Sequence, residues 1–123
     1  MNKPIRVILL DEADAEYKRL NEIVGQQIKE GEENTEEIQL LKSIKQKSEF
    51  LKANPFYGNN VPKKLIPQEY IINYNAKNLW RVELTNYWRM LYTIKGDQVE
   101  IFCFVLDIID HEKYNKKFGY RKK

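Results

Sequence analysis

The chain has 123 residues, 42% of them hydrophobic and 32% charged, the length and balance of one water-soluble domain, residues 1–123, with a sizeable core. No apolar run approaches the roughly 18 residues that a membrane span needs; Ile5 to Leu10 is also too short for a secretion signal and ends at Asp11-Glu12. A lone cysteine, Cys103, cannot form an internal disulfide, so the expected setting is cytoplasmic. The net charge of +3 is unevenly spread, because residues 1–54 hold 9 Lys/Arg against 11 Asp/Glu and residues 55–123 hold 12 against 7. The basic second half is compatible with a nucleic-acid partner.

Ile5 to Leu10 is β-branched and apolar and reads as a first strand at or near a sheet edge. From Asp11, a plausible N-cap, Ala13, Tyr17, Leu20, Val24 and Ile28 recur at helical spacing. Gly31 to Asn34 breaks that helix. Thr35 opens a second one with Ile38, Leu41, Ile44, Ser48 and Leu51 on one stripe, ending at Asn54-Pro55. Two such helices joined by a short break predict an antiparallel αα-hairpin that needs an apolar surface to lie on. The acidic residues at the break, Glu30, Glu32, Glu33, Glu36 and Glu37, read as a solvated turn. Residues 56–70 are rich in Gly, Asn and Pro and read as a loop. Its Lys63 and Lys64 are either ordinary surface lysines or phosphate contacts. A short helical turn is expected over Gln68 to Asn73.

Leu79 to Leu106 holds most of the aromatic and β-branched residues and predicts three consecutive antiparallel strands. A three-residue loop, Thr85-Asn86-Tyr87, pairs Val82 with Met90 and Trp80 with Tyr92, and sets Glu83 opposite Arg89. A two-residue loop would mix the two faces, so the apolar pattern selects the longer one. The second turn reads as a two-residue Gly96-Asp97 hairpin, pairing Ile94 with Val99, Tyr92 with Ile101 and Met90 with Cys103. Cys103 reads as a small buried hydrophobe. Arg81, Glu83 and Arg89 then share the sheet face away from the main core. That face is otherwise polar apart from Phe102 and Phe104, which need a cover. Asp110 is expected to cap a short helix over His111 to Lys117, ended by Gly119. Phe118 or Tyr120 is expected to supply the cover and to bring His111 and Tyr114 near Arg89.

The segments NLWRVEL at 78–84, YWRMLYTI at 87–94, IFCFVLDIIDH at 101–111 and YNKKFGYR at 114–121, in this order after a strand and an αα-hairpin, resemble the RelE/ParE toxin superfamily of prokaryotic toxin–antitoxin pairs. The resemblance implies an α+β fold in which an N-terminal strand and αα-hairpin pack on one face of an antiparallel sheet. It also implies an endonuclease that cleaves mRNA on the ribosome without a metal, restrained by a cognate antitoxin protein; with no Gly-rich phosphate loop, CxxC or His cluster in the sequence, no cofactor is expected. Arg89 matches the arginine that contacts the scissile phosphate, and Arg81 a basic position on the preceding strand. His111 and Tyr114 fall where the family places its general acid or base. Glu83 stands where some members have a lysine.

The chemistry suits these residue types. Metal-free RNA cleavage needs a base for the 2′-hydroxyl proton, cations for the charge building on phosphorus, and an acid for the 5′-oxygen. Arginine binds two phosphate oxygens at once and stays charged. Glu83 is a candidate base, with His111 or Tyr114 as the acid; its plainer reading is a cross-strand ion pair with Arg89. The basic tail, with Lys116, Lys117 and Arg121, reads either as an RNA contact or as a solubilising end. A gyrase-binding toxin of the ParE kind and a non-catalytic interaction module of the same fold are the other functions this pattern allows.

Overall fold

The computed structural model describes residues 3–119. In chain order it contains β1 (Ile5–Leu9), α1 (Asp11–Lys29), α2 (Glu36–Ala53), β2 (Asn59–Asn60), α3 (Gln68–Tyr74), β3 (Trp80–Glu83), β4 (Arg89–Gly96), β5 (Ile101–Ile109) and α4 (His111–Lys117). The strands form one sheet in the order β1-β5-β4-β3-β2. The expected antiparallel sheet is therefore mixed: β1 lies on the edge and runs parallel to β5, while the other pairs are antiparallel. A parallel neighbour needs a long crossover, and nearly the whole chain lies between these two strands. No helix among the described residues is long and apolar enough to cross a membrane.

The hairpin of α1 and α2 packs on one sheet face. Leu20, Val24, Ile38, Ile44 and Leu51 meet Val82, Met90, Tyr92, Cys103 and Val105 in the main core. The bend between the helices is fixed chemically. Thr35 caps α2, its Oγ1 accepting from the Ile38 amide at 3.1 Å and donating to Gln27 Oε1 at 2.6 Å. Asp11 does not cap α1: Leu10 holds that position without a side-chain cap, and the Asp11 carboxylate instead accepts from the Tyr74 hydroxyl at 3.1 Å. Asp11, Glu12 and Asp14 still place negative charge in the first turn, where the helix dipole favours it.

The first turn of the meander matches its expected register, with Trp80, Arg81, Val82 and Glu83 opposite Tyr92, Leu91, Met90 and Arg89. The second differs. Gly96 pairs with Ile101, so the loop is Asp97 to Glu100 rather than Gly96-Asp97. The Asp97 carboxylate accepts from the amides of Val99 and Glu100, both at 2.8 Å, and closes the longer turn. Further along, Tyr92 pairs with Val105 but Leu91 with Asp107. Leu106 is thus the extra residue of a β-bulge, which returns Ile108 to the main core.

The second sheet face is not polar, contrary to expectation. Val61, Ile66, Tyr70 and Ala76, from the stretch between β2 and β3, cover Leu79, Leu91, Leu106 and Ile109, and Tyr114 of α4 completes a second core. Phe102 and Phe104 stack on each other at 5.3 Å, and Phe118 packs on Tyr114 at 4.4 Å. Phe104 and Phe118 both flank the second core. Tyr120 lies outside the described residues.

Candidate active site

Residues 81 and 83 are two apart on β3, so both side chains leave the same face. Register places Arg89 across from Glu83 on β4. The Glu83 carboxylate therefore lies between two guanidiniums, 3.1 Å from Arg81 Nε and 3.5 Å from Arg89 Nε. The Arg89 side chain is only 14% exposed, while that of Glu83 is 50% exposed. The carboxylate is the open member of the group and the arginines are its sunken floor.

The capped helix α4 brings two further groups. Tyr114 is 2% exposed; its hydroxyl accepts from Arg81 Nη1 at 2.9 Å, and its ring lies 4.5 Å beneath the Arg89 guanidinium. A half-buried cation over an aromatic face recovers part of the hydration it has lost. His111, at the exposed start of α4, faces Arg89 Nη1 with Nδ1 at 3.4 Å. A guanidinium only donates, so this Nδ1 accepts and the ring proton belongs on Nε2. The Asn115 side-chain nitrogen lies 3.2 Å from Nε2, one helical turn on; two N–H groups cannot bond each other, so a hydrogen bond there takes the amide in its flipped orientation, with the oxygen accepting.

Arg81, Glu83, Arg89, His111 and Tyr114 thus lie together on this face. Two residues the sequence reading missed hold them. Tyr87 supplies the carbonyl that accepts from Arg89 Nη1 at 3.0 Å, and its exposed ring lies 6.0 Å from His111. It does so from a left-handed backbone, φ +64°, an unfavourable conformation for a side chain of its size. Asn115 was findable, four residues after His111 on a predicted helix. Tyr87 was not, since the strain belongs to the turn.

No family model matches this chain, and no curated protein matches it. Among solved structures, a YoeB/ParE toxin from Agrobacterium tumefaciens is similar, with 12% sequence identity and a TM-score of 0.56 over 86% of this chain and 98% of that one. The chain shares the fold of that toxin. At this identity the likeness concerns architecture, and no site residue is carried over by it.

Within this fold the predicted RNA-contacting lysines divide. Lys63 and Lys64 are exposed in a 3-10 turn, Lys63–Leu65, between Val61 and Ile66 of the second core, and so lie on the sheet face of the arginines. Lys116 is exposed on α4. Lys117 is turned onto carboxylates, 2.6 Å from Glu69 and 3.5 Å from Asp107. There burial pushes the Asp107 carboxyl above its ordinary range, although the Tyr70 hydroxyl donates to it at 2.7 Å and Lys117 opposes the shift. Arg121 lies outside the described residues. Among the described residues no three His, Cys, Asp or Glu side chains gather as metal ligands.

Proposed function

We propose that this chain is the toxin of a toxin–antitoxin pair, a ribosome-dependent mRNA endonuclease held inactive by a cognate antitoxin protein. One observation carries the reading: two guanidiniums fixed on one sheet face share a single half-exposed carboxylate, with an imidazole 3.4 Å from one of them. The likeness of the fold to a YoeB/ParE toxin agrees with it. An approaching phosphodiester takes the guanidiniums bidentately and displaces Glu83 from them. The freed carboxylate accepts the 2′-hydroxyl proton as that oxygen attacks phosphorus. The bond from phosphorus to the 5′-oxygen breaks, and His111, as the imidazolium that forms once the phosphate has drawn Arg89 Nη1 off its Nδ1, gives that oxygen its proton. The products are a 2′,3′-cyclic phosphate and a 5′-hydroxyl. Arg81 and Arg89 stabilise the charge on phosphorus. Tyr114, buried beneath both, is a positioning residue.

The test adds the purified protein to a translating extract programmed with a defined message and maps new 5′ ends by primer extension, beside Arg89→Ala. Ribosome-dependent cleavage that disappears in the variant is expected. Cleavage unchanged by Arg89→Ala would remove the site from this reading. Absent cleavage with undisturbed translation would leave the gyrase-binding function as the better account of the fold.

A further inference from the structure

Large aromatic side chains are costly to leave in water, yet three lie close together between the end of α2 and the start of β2. Phe50, Phe56 and Tyr57 are 38%, 61% and 44% exposed. Phe50 and Tyr57 pack ring to ring at 5.2 Å, and Phe56 meets the edge of Trp80 at 5.3 Å. The Lys47 ammonium lies 5.4 Å from the Phe50 ring and 5.9 Å from that of Tyr57. Lys47 also lines a groove of 590 Å³ between α2 and the end of β3, together with Lys42, Ser43 and Glu83. β2 covers only Trp80 and Arg81 of β3, so this end of the strand is an open edge. Among the described residues lining the groove Glu83 is the sole carboxylate, and it is already shared by Arg81 and Arg89. Lys42 is exposed, and no carboxylate is paired with it or with Lys47 among the described ion pairs. One residue, Glu83, thus belongs to both the candidate site and the groove, and another, Lys47, to both the groove and the aromatic cluster.

We infer that this groove and the aromatic platform at its end bind single-stranded RNA flanking the candidate site, with Lys42 and Lys47 on phosphates and Phe50 and Tyr57 stacked on unpaired bases. Lysines with no carboxylate partner among the described residues, set beside exposed rings, favour a strand that carries both phosphates and π faces over an apolar protein surface, which would bury these lysines at a loss. The inference rests on the RNA-cleaving reading of the neighbouring site, but it is tested separately from it.

The probe is a fluorescein-labelled 2′-O-methyl RNA 12-mer of mixed sequence, which cannot be cleaved, followed by anisotropy against the full chain. Tyr57→Ala is expected to weaken binding roughly tenfold, the loss of one stacked base. Lys42→Gln combined with Lys47→Gln is expected to lower the slope of log affinity against log salt by about 1.4, two phosphates on a single strand. All the variants carry surface substitutions, and far-UV circular dichroism checks that each is folded. Platform-dependent binding without cleavage on ribosomes would uphold the platform and overturn the nuclease reading. Arg89-dependent cleavage with 12-mer binding insensitive to these variants would do the reverse. Binding insensitive to them, with self-association in sedimentation that Tyr57→Ala abolishes, would assign the rings to a protein contact and overturn the inference.

Discussion

Removing one oxygen atom tests how the loop that carries the aromatic platform is fastened to the sheet. Tyr92 is wholly buried; its hydroxyl donates to the Pro55 carbonyl at 2.7 Å and accepts from the Gly58 amide at 3.1 Å. Burial pushes its pKa up to about 12, so at neutral pH it is a full donor. Tyr92→Phe keeps the ring against Trp80 and opens almost no cavity, but leaves a buried carbonyl and an amide without a partner. Each of these two hydrogen bonds contributes about 1 kcal/mol. A loss of roughly 2 kcal/mol follows, or about 8 °C in Tm for a chain of this length. Urea and thermal unfolding followed by circular dichroism measure it. A loss below about 0.5 kcal/mol would mean that the hydroxyl does not hold these groups in solution, and that the loop is fastened by the short β2–β3 pairing alone.

Three further outcomes are expected. A Cβ at Gly58 would lie 2.7 Å from the Arg81 carbonyl oxygen and 3.0 Å from the Tyr92 hydroxyl; Gly58→Ala should therefore part β2 from β3 and destabilise the fold by roughly 1–3 kcal/mol, and a thermal melt equal to the parent would contradict that close approach. For Asp107 the sign follows from the raised carboxyl. Above the ordinary value of about 4 the folded state binds more protons than the unfolded one, so the Asp107 contribution falls as pH rises. The stability of the parent relative to Asp107→Asn, from urea midpoints at stepped pH, should thus decline from about pH 4 upward, and a rise would mean that pairing with Lys117 outweighs burial. The Cys103 thiol is buried and pushed up to about 11, so a thiol-disulfide reagent at pH 7 should label it only at the rate of unfolding; rapid labelling of the folded protein would overturn its place in the main core.

Much of the fold was legible in the alternation of apolar residues, and the two turns of the meander mark where that signal ends. Pattern fixes which face a residue joins, which is a question of parity. A two-residue or three-residue first loop differs in parity, so the pattern could choose between them. The second hairpin differs from its expected register by four in the sum of paired positions, and that even shift leaves Met90, Tyr92 and Ile94 in the main core either way. The turn was decided by the Asp97 carboxylate, which no hydrophobic pattern records. The bulge at Leu106 does change parity, putting Leu106 and Ile109 in the second core and Val105 and Ile108 in the main one. The second core was missed for a related reason. Val61, Ile66 and Tyr70 lie in a stretch punctuated by Gly, Asn and Pro, so their apolar side chains have no periodicity to point them at a sheet.

The same missed core determines how the candidate site is assembled. Parity alone puts Arg81, Glu83 and Arg89 on one face, but two arginines and a carboxylate on an open polar sheet would form a mobile surface ion pair of little energetic weight. The second core changes their surroundings. It draws α4 down so that the Tyr114 ring lies under Arg89 and its hydroxyl meets Arg81. At the other edge, β2 and Gly58 press on the backbone of Arg81 itself. The guanidiniums are therefore held from below and from the side, and Glu83 faces solvent as their exchangeable counter-ion. In the proposed reaction a phosphate takes that place, and little rearrangement is needed because Tyr114, Tyr87 and the β3–β4 register already fix the cations. A lysine at position 83 would instead set three cations together on this face. A third cation there would leave both arginines without a counter-charge until substrate arrived.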